Sequence, residues 1–249
     1  MVEKLEPIER IDWRHRAATT VAEDHRGPDG KVVCAKGTPI TATTFIKHGG
    51  REIGFGDPSA TALFLNQSHR SFVEAMRLHP FHGEWPPSEL EDSTRVYDYL
   101  ELICTSVFFA YTALEAFVNE ELPEDYVYER EEQTDSGIYV VRQFDKEQIE
   151  RHLSLSEKLA TVLPRATGKP SPKGTSTWED FVHLGRLRDR VVHMKSEDRK
   201  RSKAHDMYPK SIWSDLLNPS QRDFPAIAKS MVLYFKQEDE RHWLRRCPF

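Results

Sequence analysis

The stretch Leu100–Leu122, LELICTSVFFAYTALEAFVNEEL, decides the architecture. Leu100, Ile103, Val107, Ala110, Leu114 and Phe117 recur in it at helical spacing and form one stripe. Leu102, Phe108, Phe109, Ala113, Ala116 and Val118 widen the stripe until the helix is apolar on most sides, the pattern of a central helix. Asp92 or Ser93 opens this helix and Pro123 closes it. Its most apolar run, Leu102–Val118, has 17 residues and contains Thr105, Ser106, Tyr111, Thr112 and Glu115. That is short and polar for a membrane span, so a buried core helix is expected and no membrane partner.

Working outward, the chain reads as helical from Asp57 onward. Asp57 or Ser59 caps a helix to about Leu78, with Leu65, Phe72 and Met76 on one face. Pro80, Gly83, Pro86 and Pro87 mark a loop. Residues 120–144 are acidic and turn-rich, with Ile138–Val141 as a short strand. Asp145 caps a helix to about Leu163 that Pro164 ends. Thr175 or Ser176 caps the next, to about Lys195, and a charged connector, Ser196–Asp206, follows. The last helix runs from about Phe224 to Glu240, with Ile227, Met231, Leu233, Tyr234 and Phe235 as its core.

Residues 1–57 differ. Val32, Val33, Ile40, Thr41, Thr43, Thr44, Phe45 and Ile46 fall in short runs bounded by Gly27-Pro28-Asp29-Gly30 and Gly49-Gly50, so strands of a small hairpin or meander are expected. The fold class is therefore mainly α. A β-rich segment, 1–57, precedes a helical domain, 58–249.

At 249 residues and 28.9 kDa, with 38% hydrophobic residues and a mean hydropathy of −0.63, the chain has enough apolar side chains for a real core. A net charge of −5 excludes a generally basic nucleic-acid coat. Residues 1–30 show no apolar leader segment, and Cys34, Cys104 and Cys247 form no paired framework, so a reducing cytoplasm is the expected compartment.

The chemistry concentrates in Leu187-Arg188-Asp189-Arg190-Val191-Val192-His193. The helix that carries it has a core stripe of Phe181, Leu184, Leu187, Val191 and Met194, and Arg188 lies along that stripe. A guanidinium keeps its charge, so it needs a carboxylate or an anionic ligand there. Glu115, inside the apolar central helix, needs a partner as well, and Asn119 follows one turn later. The economical expectation is that the two helices pack and that Glu115, with Asn119, holds Arg188. Such a pair also occurs as plain architecture. His193 lies five positions after Arg188, about 140° around a helix, while Asp189 is better aligned with it.

These residues resemble the HEPN superfamily of all-α domains, which carries Arg-(polar)-x3-His toward the end of a long helix. Ala113-Leu114-Glu115-Ala116-Phe117-Val118-Asn119-Glu120 is similar to the family's central helix. Ser156-Glu157-Lys158-Leu159 followed by Trp178-Glu179-Asp180-Phe181 is similar too. The resemblance covers about residues 58–240. It implies a HEPN-like helical bundle acting as a metal-independent endoribonuclease with no cofactor, in a toxin, phage-defence or RNA-processing system. It also implies a homodimer whose two motifs face one cleft. His193 would act on the ribose 2′-OH or the leaving 5′-oxygen, and Arg188 on the phosphate charge. Asp189 would orient either of them, with Glu115 and Asn119 in support. The product would carry a 2′,3′-cyclic phosphate. Where the family's antitoxin-regulated toxins have Tyr two residues after the His, this chain has Lys195, so that mode of control is not expected, although an antitoxin or defence-system partner remains open. Other members only bind, and a non-catalytic module for RNA, nucleotide or protein is the alternative.

Between Arg186 and Lys203 there are eight basic residues against three acidic ones. Arg186, Arg190, Lys195, Arg199 and Lys200 are the RNA-binding candidates; a solvated connector has the same composition. The acidic stretch Glu120–Asp135 would repel RNA near a cleft. His79, His82 and Glu84 are a weak metal candidate in a Pro-rich loop, and Gly54-Phe55-Gly56-Asp57-Pro58 reads as a turn.

Overall fold

The computed structural model describes residues 11–16, 18–79, 90–133, 137–196, 211–218, 222–236 and 243–249. The chain is mainly α and divides into two compact units, one holding residues 1–64 and 236–249, the other 65–235.

The first unit is built from six short strands: β1 (Ala18–Thr20), β2 (His25–Arg26), β3 (Val32–Cys34), β4 (Pro39–Thr41), β5 (Thr43–His48) and β6 (Arg51–Gly56). They pair antiparallel, β1 with β4, β2 with β3 and β5 with β6. The β5–β6 hairpin turns on Gly49 and Gly50, both at positive φ, which a two-residue hairpin of right-handed strands demands. Gly54 and Gly56, expected in a turn, lie instead in β6. A Cβ on Gly54 would meet the Phe45 ring at 2.8 Å, and one on Gly56 the His15 ring at 2.4 Å. These glycines serve the close approach of rings across a strand. A 3₁₀ turn, Trp243–Arg246, belongs to this unit. Trp13 packs its ring 5.6 Å from Trp243 and 5.8 Å from Phe249. Arg246 donates to the carbonyls of Ile11 and Asp12. The C-terminal residues thus join the N-terminal strands, where a continuous helical domain from residue 58 was expected.

Helix α1 (Ala60–Leu78) starts where Ser59 Oγ accepts the Ala62 N–H, so Ser59 is the cap and Asp57 is not. In the second unit, Ser68 of this helix donates to the Ser106 carbonyl of α2 (Leu90–Glu121) at 2.8 Å. Ile103, Val107, Ala110, Leu114 and Phe117 of α2 are buried as the stripe requires. The helix is not apolar-covered all round, however: Phe108 is 42% exposed and Tyr97 63%. Over Thr94–Glu121 it is long and apolar enough to cross a membrane by length and composition, more than the 17-residue run suggested, yet it packs against other helices of this unit.

The acidic stretch turns out to hold strand β7 (Tyr128–Gln133), paired with β8 (Tyr139–Phe144). Arg130 within it engages Glu132 and binds both carboxylate oxygens of Glu157 at 3.0 Å. Asp145 then caps α3 (Lys146–His152) with a full capping box. That helix stops at Leu153, and Ser154 caps a second one: α4 (Leu155–Glu157), a π-helical turn (Lys158–Val162) and α5 (Leu163–Thr167) run on without a break. Pro164 therefore does not end a helix. It has no N–H for the carbonyl four residues back, that of Ala160, and the widened turn sits just before it. Ser171 Oγ donates to the Ala160 carbonyl at 2.6 Å. Ser171→Ala is expected to lower stability by about 1 kcal/mol, read as a shift of the urea midpoint at constant slope.

Thr175 caps α6 (Ser176–Val192), which packs on α2. Ser211 caps α7 (Ile212–Leu216), which the sequence reading had not found. The last helix, α8 (Phe224–Lys236), buries Phe224, Ile227, Ala228, Met231, Val232 and Phe235, while Leu233 and Tyr234 are half-buried. The expected extension to Glu240 lies outside the described residues, as does most of the connector 196–206.

Candidate functional site

Helix α6 ends one turn earlier than the apolar pattern predicts. Val192 is its last residue and His193 its C-cap, with φ −114° and ψ 55°. His193 is exposed, and among the described residues its ring takes no hydrogen bond. Its backbone N–H donates to the Asp189 carbonyl at 2.9 Å.

Arg188 is three-quarters buried, its side chain 25% exposed. It does not pair with Glu115, contrary to expectation. Its Nη1 donates to Asp189 Oδ1 at 2.9 Å, and its guanidinium lies over the Tyr111 ring, 4.7 Å from the centroid. Tyr111 is one turn before Glu115 on α2, stacks on Phe181, and fits against the bare Cα of Gly185. Burial, and then the Glu115 charge, push the Tyr111 hydroxyl above its ordinary pKa, with Arg188 opposing. Asp189 thus serves both members of the motif, its carboxylate on Arg188 and its carbonyl on the His193 backbone. The sequence reading missed Tyr111 because aromatic residues on an apolar helix read as core. Tyr111→Phe should keep stability within about 0.5 kcal/mol of wild type in thermal unfolding, and Tyr111→Leu should lose about 1–2 kcal/mol, because the attraction for Arg188 resides in the ring.

Glu115 and Asn119 face a different cation. Lys158, in the π-helical turn, is buried. It donates to the Glu150 carbonyl at 2.8 Å and approaches Asn119 Oδ1 at 3.5 Å. Burial depresses its pKa, and the charge of Glu115 pulls it back up. The support proposed for Arg188 is therefore the setting of Lys158.

The basic candidates separate as well. Arg190 forms an ion pair with Asp215 of α7. Arg186 is exposed, and among the described residues it has no ion pair. Lys195 is exposed beyond the helix end; Arg199 and Lys200 lie outside the described residues. Arg186, Arg190 and His183 share one side of α6, roughly opposite Arg188. A cavity of about 650 Å³ lined by Tyr97, Leu100, Cys104, Val191, Met194 and Trp213 adjoins the helix end. Burial raises the Cys104 thiol to about 11, which suits packing rather than nucleophilic attack.

His79 of the weak metal candidate is buried with its ring edge-on to Tyr99 at 5.0 Å, and His82 and Glu84 lie outside the described residues. Among the described residues, no group of three His, Cys, Asp or Glu side chains is arranged to hold a metal. In comparisons with known proteins, no family model, no curated protein and no solved structure matches this chain.

Proposed function

We propose that the chain is a HEPN-like, metal-independent endoribonuclease with Arg188, Asp189 and His193 as its working residues. The observation that carries this reading is the exposure of His193 at the C-cap of α6, tied through Asp189 to a guanidinium held on an aromatic ring. The Arg-(polar)-x3-His spacing and the local basic run support it. An imidazole can both accept and donate a proton, which is the work a general base and a general acid must do.

Arg188 and His193 sit on different sides of α6, so the reading requires two copies of the chain around one phosphodiester. One imidazole takes the 2′-OH proton as the 2′-oxygen bonds to phosphorus. The bond to the 5′-oxygen breaks, and the second imidazole protonates that leaving oxygen. The ends are a 2′,3′-cyclic phosphate and a 5′-hydroxyl. Arg188 offsets the charge that grows on the phosphoryl oxygens, and Lys195, exposed just beyond His193, holds a neighbouring phosphate.

The second reading is a non-catalytic module that binds RNA, nucleotide or protein. It is favoured by the engagement of Arg188 with Asp189 and Tyr111, which suffices as architecture. Incubation of cellular RNA in excess chelator separates the two. Cleavage by the wild type that fails in His193→Ala supports the nuclease. An unreactive wild type that still retards RNA supports the module.

A further inference from the structure

On the side of α6 away from Arg188, a cavity of about 390 Å³ is lined by His183, Arg186, Leu187 and Arg190 of α6, Asp215 and Asn218 at the end of α7, and Arg222 just before α8. Three arginines and a histidine around one small hollow is a costly arrangement, because like charges repel. Part of that cost is offset locally. Asp215 pairs with Arg190, and Asp180 pairs with Arg222 through one guanidinium nitrogen, Nη1. These pairs fix both guanidinium groups relative to α6. What remains is unbalanced. Among the described residues Arg186 has no ion pair and the His183 ring has no hydrogen bond. The remaining N–H groups of Arg222 have no partner among them either.

The groups also sense one another. Burial lowers the His183 pKa first, Arg222 second, and Arg186 adds to it, against Asp180 and Asp215. His183 therefore gives up its proton more readily than an ordinary histidine, in the field of two guanidinium groups, with Asp180 and Asp215 as the opposing charges.

We infer that this hollow is a binding site for a phosphomonoester group, gripped by Arg186, Arg222 and His183 with Arg190 as the rear wall. A dianion with three terminal oxygens matches several converging N–H donors, and planar guanidinium groups grip such oxygens two at a time. A carboxylate has only two oxygens and one charge to offer. The volume lies at the small end of ligand pockets, enough for a phosphate together with a compact polar body. Leu187 and Asn218 line the hollow beside these groups. The source is either a free mononucleotide or the phosphorylated end of an RNA. The inference does not depend on RNA cleavage, since neither Arg188 nor His193 lines the cavity.

The test uses titration calorimetry on the full chain at constant ionic strength set with KCl. The probes are adenosine 5′-monophosphate, adenosine, and a 2′-O-methyl tetranucleotide with either a 5′-phosphate or a 5′-hydroxyl. Wild type is expected to bind the phosphorylated probes, with adenosine and the 5′-hydroxyl strand at least tenfold weaker. Arg186→Gln and Arg222→Gln should each weaken binding at least tenfold, and His183→Gln less. Unchanged far-ultraviolet dichroism and melting without ligand show that the variants fold; Arg186→Gln, at an exposed position without an ion pair, serves as the variant that folds if Arg222→Gln does not. His193→Ala should bind as wild type does. Preference for the 5′-phosphorylated strand over the mononucleotide assigns the site to RNA ends, and the reverse preference assigns it to a free nucleotide. Absence of phosphate-dependent binding, or binding that survives Arg186→Gln, overturns the inference.

Discussion

RNA cut by the wild-type chain in excess chelator is expected to be cut at least about 10²-fold more slowly by His193→Ala, the usual contribution of a positioned acid or base. Arg188→Ala should lose about 10²–10³-fold, as when a charge-stabilising donor is removed from a developing anion. Arg188→Lys should restore little of that. The lysine places one charge but cannot reproduce the planar fork that donates to Asp189 while lying over Tyr111. The readout is the rate of loss of intact RNA together with 2′,3′-cyclic phosphate ends. Equal rates in wild type and His193→Ala would sink the nuclease. So would activity that vanishes with the chelator. The effect should be one of rate and not of folding, because the His193 side chain is exposed and only its backbone caps the helix.

The second large effect is expected at Lys158. Its ammonium group is taken out of water, and it satisfies the Glu150 carbonyl, one of the last four carbonyls of α3. Lys158→Ala removes that donor and the packing of a long stem, and should cost about 2–4 kcal/mol. For a chain of this size that is about 5–15 °C in melting temperature. Lys158→Met keeps most of the volume and should cost less. The pH dependence separates burial of charge from loss of packing. Folded Lys158 releases its proton at lower pH than the unfolded lysine does, at 10.5. Between the two values the unfolded chain holds a proton that the folded chain lacks, so stability rises with pH. Wild type should therefore gain on Lys158→Met as pH climbs through that window. A stability difference that stays flat with pH would show that the side chain acts by packing alone.

The parts of the fold legible in the sequence are those governed by local rules. The stripe of α2 is periodic, Asp145 and Thr175 are caps, and Gly49-Gly50 is a hairpin turn. Each depends on residues within a few positions of one another. What failed depends on register between distant segments. That α2 and α6 pack was readable from their stripes, but which residue of α2 meets Arg188 was not. A shift of one turn exchanges Glu115 for Tyr111, and both satisfy a guanidinium in different ways. The Ala160 carbonyl that Pro164 leaves without a helical donor is met by Ser171, on the far side of a loop, which no local pattern reveals. Gly54 and Gly56 read as a turn because sequence alone cannot show that the rings of Phe45 and His15 occupy the space a Cβ needs. Likewise Asp215 and Arg222, with His183, draw meaning only from their convergence on one cavity.

The pairing of Trp13 with Trp243 and Phe249 has a bearing on biosynthesis. Residues 65–235 form a contiguous stretch with its own core, so they can fold while the ribosome is still adding residues behind them. The strand-rich unit cannot. Its first part leaves the ribosome early, but the aromatic rings and the Arg246 guanidinium that complete it are made more than two hundred residues later. The strand-rich unit is therefore closed last, by residues made after the whole of 65–235.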